Sequence, residues 1–324
     1  MHLFHTATVQ LLAAWLVIAA PVGCNASTID IDAATNPVDA LAQLQQHAYE
    51  TLKQREGVSK RTPKGCSLVN TVAYINAVKC LQTLPSKSDP AWALAAKTRF
   101  DDFVAIHVNK TMYIHGNGLF LTCHRYFVWS YEQALRNECG YTGYQPYWNW
   151  FARTDDIYKS PVFDGSDASM GGDGVFFSHN GSLAGARTIF IPSSAGGGCI
   201  ESGPFVNVQA NIGPISPGMH TSGHYTMGGD PTDLYSFVND PAFWLHHTML
   251  DHIYWVWQVL HPAEAEKVVG TLTLQNKPPT RDATVDEELE LGSMGRRGGL
   301  GLCLIRWVGR RCVISMHEYV WYTF

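Results

Sequence analysis

Apolar positions in the middle of the chain fall at helical intervals, and histidines interrupt them. Phe100, Phe103, Val104 and His107 stand at i, i+3, i+4 and i+7, so one helix stripe carries His107 inward. Phe120, His124, Phe127, Val128, Tyr131 and Leu135 repeat the pattern and place His124 on the buried side. Between them, Ile114-His115-Gly116-Asn117-Gly118 has turn chemistry, so His115 projects from a loop. A third stripe runs through Phe243, His247, Leu250, Tyr254 and Trp257, with Asp240-Pro241 as its helix start. His220 and His224 stand at i and i+4, which puts both rings on one helix face. The Gly/Ser-rich stretch from Pro161 to Gly198 predicts a long loop joining the two helix pairs. The expected fold is mainly α, one domain built around an antiparallel four-helix bundle.

These stripes gather six histidines into two triplets, His107/His115/His124 and His220/His224/His247. Desolvated imidazoles need partners. Three per metal ion, with a coordination position left open, suits a pair of adjacent ions. Neutral imidazole favours copper, zinc or iron over magnesium or calcium. The i, i+4 pair is weak alone, since fourteen histidines in 324 residues give about 0.6 such pairs by chance. The Glu of the His-Glu-x-x-His zinc protease motif is missing. Asp251, one turn beyond His247, is placed to orient an imidazole. His246 precedes the stripe by one residue, points away from it, and reads as a structural neighbour rather than a ligand. No catalytic group beyond the metal ligands is required.

Asp240-Pro-Ala-Phe-Trp-Leu-His-His247-Thr-Met-Leu-Asp251 resembles, residue for residue, the second copper-site motif of tyrosinases, catechol oxidases and haemocyanins. His115-Gly-Asn-Gly-Leu-Phe-Leu-Thr-Cys-His124-Arg125, with Glu132 eight positions on, resembles the first, except that Cys123 replaces an aromatic residue. Asn137 to Trp150 is similar to the short secreted tyrosinase-type enzymes of filamentous fungi, and the likeness runs from about Ala42 to Leu291. The resemblance implies copper A on His107, His115 and His124, and copper B on His220, His224 and His247. It also implies cupric ions at rest, cuprous ions on reduction, dioxygen as co-substrate and a small phenolic substrate. Phe243 would pack on a copper-B imidazole, His246 matches a family position, and Arg125 would be a buried ion-pair partner, with Glu132 opposite.

The chain departs from the family where substrate choice is thought to be set. Many monophenol-hydroxylating tyrosinases carry a Glu shortly before the first copper-B histidine and an Asn after it. Here Phe205 to Met219 holds neither Glu nor Asp, and Thr221 stands at the Asn position, offering a hydroxyl in place of an amide. Tyr113 stands where some members have a thioether-forming Cys. The expectation is oxidation of o-diphenols or o-aminophenols to o-quinones, with monophenol hydroxylation weak or absent. A full tyrosinase and a haemocyanin-like dioxygen carrier stay open. So does a degenerate, copper-poor homologue, suggested by Cys123 and by the short link between Cys66 and Tyr74, where the family has a further Trp-bearing helical segment.

Composition and termini fit a secreted protein. Val9 to Ala20 is too short to span a bilayer and precedes Pro-Val-Gly-Cys-Asn-Ala26, so residues 1–26 read as a signal peptide despite lacking a basic start. No other stretch reaches membrane-spanning length. A net charge of −5, with no basic run in the core, argues against nucleic acid as a partner. Asn109-Lys-Thr and Asn180-Gly-Ser match the glycan acceptor pattern, the first crowded by its nearness to His107. Cys66, Cys80, Cys139 and Cys199 suffice for two disulfides of open connectivity, while Cys123 would be a buried thiol beside copper A. Residues 27–292 form the dicopper domain. Residues 293–324 are Gly- and Arg-rich, match nothing in the family, and read as a gene-prediction error rather than a polyanion-binding tail. The oligomeric state is not legible.

Overall fold

The computed structural model describes residues 37–56, 71–153, 156–176, 182–184, 189–191, 199–206, 219–227, 234–294 and 298–299. The expected signal peptide with Cys24, Cys66, the Asn180 acceptor, most of the carboxylate-free stretch before His220, and residues 300–324 lie outside them.

The described residues contain six α-helices: α1 (Pro37–Glu56), α2 (Thr71–Leu81), α3 (Arg99–Ile114), α4 (Phe120–Cys139), α5 (Met219–Met227) and α6 (Ala242–Leu260). Among the described residues, strands are confined to two short antiparallel pairs, Ser182–Ala184 with Ile189–Ile191 and Glu288–Leu289 with Gly298–Gly299. The first pair lies inside the segment expected to be wholly loop. The second takes the polypeptide past the expected boundary at residue 292, and Met294 is buried in the main core.

The helix ends follow local chemistry. Thr98 starts α3 with a capping box: its side chain accepts from the Asp101 N–H, and the Asp101 carboxylate accepts from the Thr98 N–H at 2.8 Å. Such caps contribute about 1 kcal/mol. Asn117 Oδ1 accepts from the Leu119 N–H at 3.0 Å and turns the chain into α4. Gly140 ends α4 in the left-handed region, φ +67°, and its N–H reaches the Leu135 carbonyl. Asp240 Oδ1 accepts from the Ala242 N–H at 2.7 Å as α6 begins.

The bundle closes around an aromatic core. Trp244 of α6 is fully buried, stacks on Tyr131 of α4 at 3.7 Å and 3°, and meets Phe103 of α3 edge-on at 5.6 Å. Each such pair adds about 0.5–1.5 kcal/mol beyond area burial. α1 lays Ala40, Leu41, Leu44, Ala48 and Leu52 inward and packs on α6, with Tyr49 against Trp255 at 5.7 Å. α2 packs on α4 and is tied to its end by the Cys80–Cys139 disulfide. Cys123 and Cys199 are free thiols among the described residues. No helix among the described residues is long and apolar enough to cross a membrane.

Candidate metal centre

The α3–turn–α4 hairpin brings His107, His115 and His124 together. All three are buried, with ring centroids 4.9, 5.8 and 5.0 Å apart. His115 follows the last turn of α3, where main-chain carbonyls lack helical partners. Its Nδ1 lies 2.8 Å from the Thr111 carbonyl, and His124 Nδ1 lies 2.8 Å from the Phe120 carbonyl. A carbonyl only accepts, so each Nδ1 bears the proton and each Nε2 keeps its lone pair. Neither Nε2 has a hydrogen-bond partner. A metal ion is the acceptor such lone pairs suit.

The second set spans α5 and α6. His224 Nε2 lies 3.0 Å from His220 Nε2 and 3.1 Å from His247 Nε2. One proton on His224 Nε2 could serve only one of these contacts. An ion with metal–nitrogen bonds of about 2.0–2.1 Å would hold its ligand nitrogens about 3 Å apart. The residues present therefore fit a first-row ion bound by imidazole. The two sets adjoin, for His124 and His247 stack at 4.5 Å and 15°.

Electrostatics favour the neutral rings that ligation needs. Burial pushes His107, His124, His220, His224 and His247 well below the usual histidine range, and neighbouring imidazoles add to it. His115 is lowered to about 4 by burial, opposed by the Thr111 carbonyl. Aromatic rings line the cage. Phe243 packs on His247 at 4.2 Å, the placement expected for it. Phe237, which the periodicity did not single out because it sits in a short 3₁₀ turn, wedges edge-on between His224 at 4.3 Å and His107 at 4.9 Å. The other face is less closed. His220 and Thr221 are half-buried, as is Phe120, whose ring lies 4.6 Å from both His124 and His220.

Three placements differ from the sequence reading. Asp251 does not orient an imidazole: its Oδ1 accepts from Arg125 Nε at 2.5 Å, and Arg125 Nη1 donates to Gln258 at 2.8 Å. Glu132 is accordingly not the partner of Arg125; it accepts from Arg136 Nε at 2.9 Å and from the Gln145 N–H at 3.0 Å. The physical reason is reach: Glu132 shares a helix face with Arg125 but lies two turns, about 10 Å, along α4, whereas Asp251 meets Arg125 across the α4–α6 contact. His246 does not point away from the site. It is fully buried, 4.3 Å from the His224 ring, and one of its nitrogens lies within 4.8 Å of a nitrogen on each of His220, His224 and His247. Cys123 is a buried free thiol next to His124, as expected, and its sulfur belongs to neither histidine group. Burial pushes its thiol up to about 12, opposed by Lys110, so it stays protonated.

Comparison with known proteins agrees with this geometry. The family model described as the common central domain of tyrosinase matches residues 97–218 and 215–260. The tyrosinase-like protein orsC of Emericella nidulans is 35% identical over 275 residues, covering 63% of this chain and 74% of that one. Tyrosinase P of Aspergillus terreus is 31% identical over 290 residues, covering 68% and 81%. A polyphenol oxidase structure from Thermothelomyces thermophila superposes with a TM-score of 0.73 at 30% identity, covering 83% of this chain and 95% of that one. On these matches, and with two histidine clusters built to take metal, the chain belongs to the tyrosinase family of copper-binding oxidoreductases.

Proposed function

We propose that His107, His115 and His124 hold one copper ion and His220, His224 and His247 a second, and that the enzyme oxidises o-diphenols or o-aminophenols to o-quinones with weak or no monophenol hydroxylation. Bound copper supplies the redox couple that passes electrons from the phenol to dioxygen. Two catechols lose four electrons and four protons, and one dioxygen becomes two waters. The protein holds six neutral imidazoles in place and walls the site with Phe237 and Phe243. It leaves the half-buried edge of His220 and Phe120 as the side a phenol ring can approach.

The observation that carries the substrate reading is what the sequence offers before and after His220. A monophenol must lose its proton before hydroxylation, whereas a catechol is already the electron donor. Residues 205–219 offer no carboxylate, and Thr221 follows His220 with a single hydroxyl. A relative named for oxidising N-acetyl-6-hydroxytryptophan, 29% identical over 341 residues, supports a hydroxylated aromatic as substrate class.

The test compares initial rates on 4-methylcatechol, 2-aminophenol and tyrosine with copper-loaded enzyme. Turnover of the first two and little of tyrosine is expected; comparable rates on all three would refute the reading. Thr221→Asn combined with Ser216→Glu should raise tyrosine turnover. Reversible dioxygen uptake without catechol turnover would instead mark a carrier, and fewer than about two coppers per chain after reconstitution would mark a degenerate homologue. The reading also takes residues 1–26 as a cleaved signal and the enzyme as secreted, which N-terminal sequencing of protein from culture medium checks.

A further inference from the structure

His246 is an expensive residue to keep where it is. An imidazole with no exposed surface sits among three others, and neither ring nitrogen makes a well-formed hydrogen bond. It lies 4.3 Å from the His224 ring, 5.1 Å from His247, and stacks on His220 at 5.5 Å and 22°. Trp150 closes the outer side at 4.9 Å. It also stands outside the group of Nε2 atoms at 3.0–3.1 Å that joins His220, His224 and His247.

The space it fills is made by a glycine. Gly223 is buried in the middle of α5, where glycine is a poorer helix former than alanine. A Cβ built there would overlap Cε1 and Nδ1 of the His246 ring and lie 3.1 Å from Nε2. The ring cannot retreat, because Trp150, His220 and His247 surround it. α5 is nine residues long, below the length at which a helix holds itself together, so its position depends on what it packs against.

We propose that His246 and Gly223 form a knob and socket that sets where α5, and with it His220 and His224, stands relative to His247. The inference rests on the reading of those three histidines as one copper site. In it His246 is a positioning residue: α6 supplies His247 to the metal and, from the adjacent position, the knob that fixes the other two ligands. The sequence pairing of two consecutive histidines on α6 with a glycine directly before His224 follows from this fit.

The test uses the full chain as wild type, Gly223→Ala, His246→Ala and the double variant. Copper per chain is measured by mass spectrometry, with electron paramagnetic resonance of the oxidised protein, where two coupled cupric ions are silent and a lone one is not. Gly223→Ala should fall from two coppers towards one and gain a cupric signal. The double variant, with the knob removed, should recover towards two and lose that signal. Gly223→Ala that keeps two coppers and a silent spectrum overturns the proposal, as does a double variant that binds no more copper than Gly223→Ala. Wild type that takes up no copper would sink the copper reading alone, and melts of the copper-free proteins would then decide the socket. Gly223→Ala should melt about 2–12 °C below wild type, with part of that regained in the double variant. Equal melting of Gly223→Ala and wild type would overturn it.

Discussion

Replacing Asp251 with alanine separates two jobs that a carboxylate beside a metal site can do. In the structure Asp251 is fully buried, and its Oδ1 is engaged by Arg125, which also reaches Gln258 and lies over the Tyr254 ring at 4.6 Å. Removing the carboxylate leaves a guanidinium desolvated with its counter-charge gone. Breaking a buried pair from one side costs about 3–5 kcal/mol. For a helical domain of this size each kcal/mol lowers the melting temperature by about 2–4 °C, so Asp251→Ala should melt about 6–20 °C below wild type in the copper-free state. The paired change Arg125→Met with Asp251→Leu removes both charges and should recover most of the loss. Had Asp251 oriented a ligand imidazole, the main effect would be a 10–100-fold loss of copper affinity. Thermal melts of copper-free protein, with copper titrations of the same variants, read both quantities. A melting change under about 2 °C together with a tenfold or larger loss of affinity would refute the ion-pair account.

Copper-loaded protein should melt above copper-free protein by an amount that grows with free copper, and an unchanged melt would argue against a folded-state site. Asp102 gives a pH dependence of known sign. Burial would raise its carboxyl, but hydrogen bonds from Ser86, Lys87, Ser88 and Arg99 outweigh this and hold it below the usual value. The stability it contributes is present above about pH 4 and is lost as pH falls through the lowered folded value. Asp102→Asn should therefore show a shallower fall in urea midpoint between pH 5 and pH 3, and an unchanged slope would refute the assignment. The Cys80–Cys139 disulfide closes a separation of 59 residues, worth about 4 kcal/mol by loop closure, so Cys80→Ser with Cys139→Ser should unfold at markedly lower urea. A thiol reagent on the native protein should modify exposed Cys199 and spare buried Cys123; equal labelling would contradict the packing around α4.

The bundle was readable because inward positions on α3, α4 and α6 repeat at helical intervals, and His107, His124 and His247 sit on those stripes, while His115 was legible from its turn and His220 with His224 from their i, i+4 spacing. What periodicity could not supply was pairing across helices. Arg125 and Asp251 each lie on an inward stripe of apolar residues, a sign that they need partners, but nothing local says that the partners are each other. Glu132 was the nearer candidate along the chain and the wrong one. His246 was misplaced because a helical wheel assigns a direction and ignores a glycine on a facing helix that opens room for a ring. Phe237 escaped notice because a 3₁₀ turn has no stripe. The tie between Cys80 and Cys139 is likewise a fact of tertiary packing.

The Tyr131–Trp244 stack has a bearing on how the centre assembles. His107 and His124 are 17 positions apart and His220 and His247 are 27 apart, so each set can gather by closing a short loop. The stack joins residues separated by 113 positions, and the neighbouring Arg125–Asp251 pair joins residues separated by 126. These are the high-contact-order events of folding, slow because the entropy of a long loop is lost before they form. The separation of the two histidine sets is therefore a property of the α4–α6 interface and not of either set. A lesion in that interface can leave two intact triplets at the wrong distance, a defect that counting bound metal would miss and that electronic coupling between the ions would reveal.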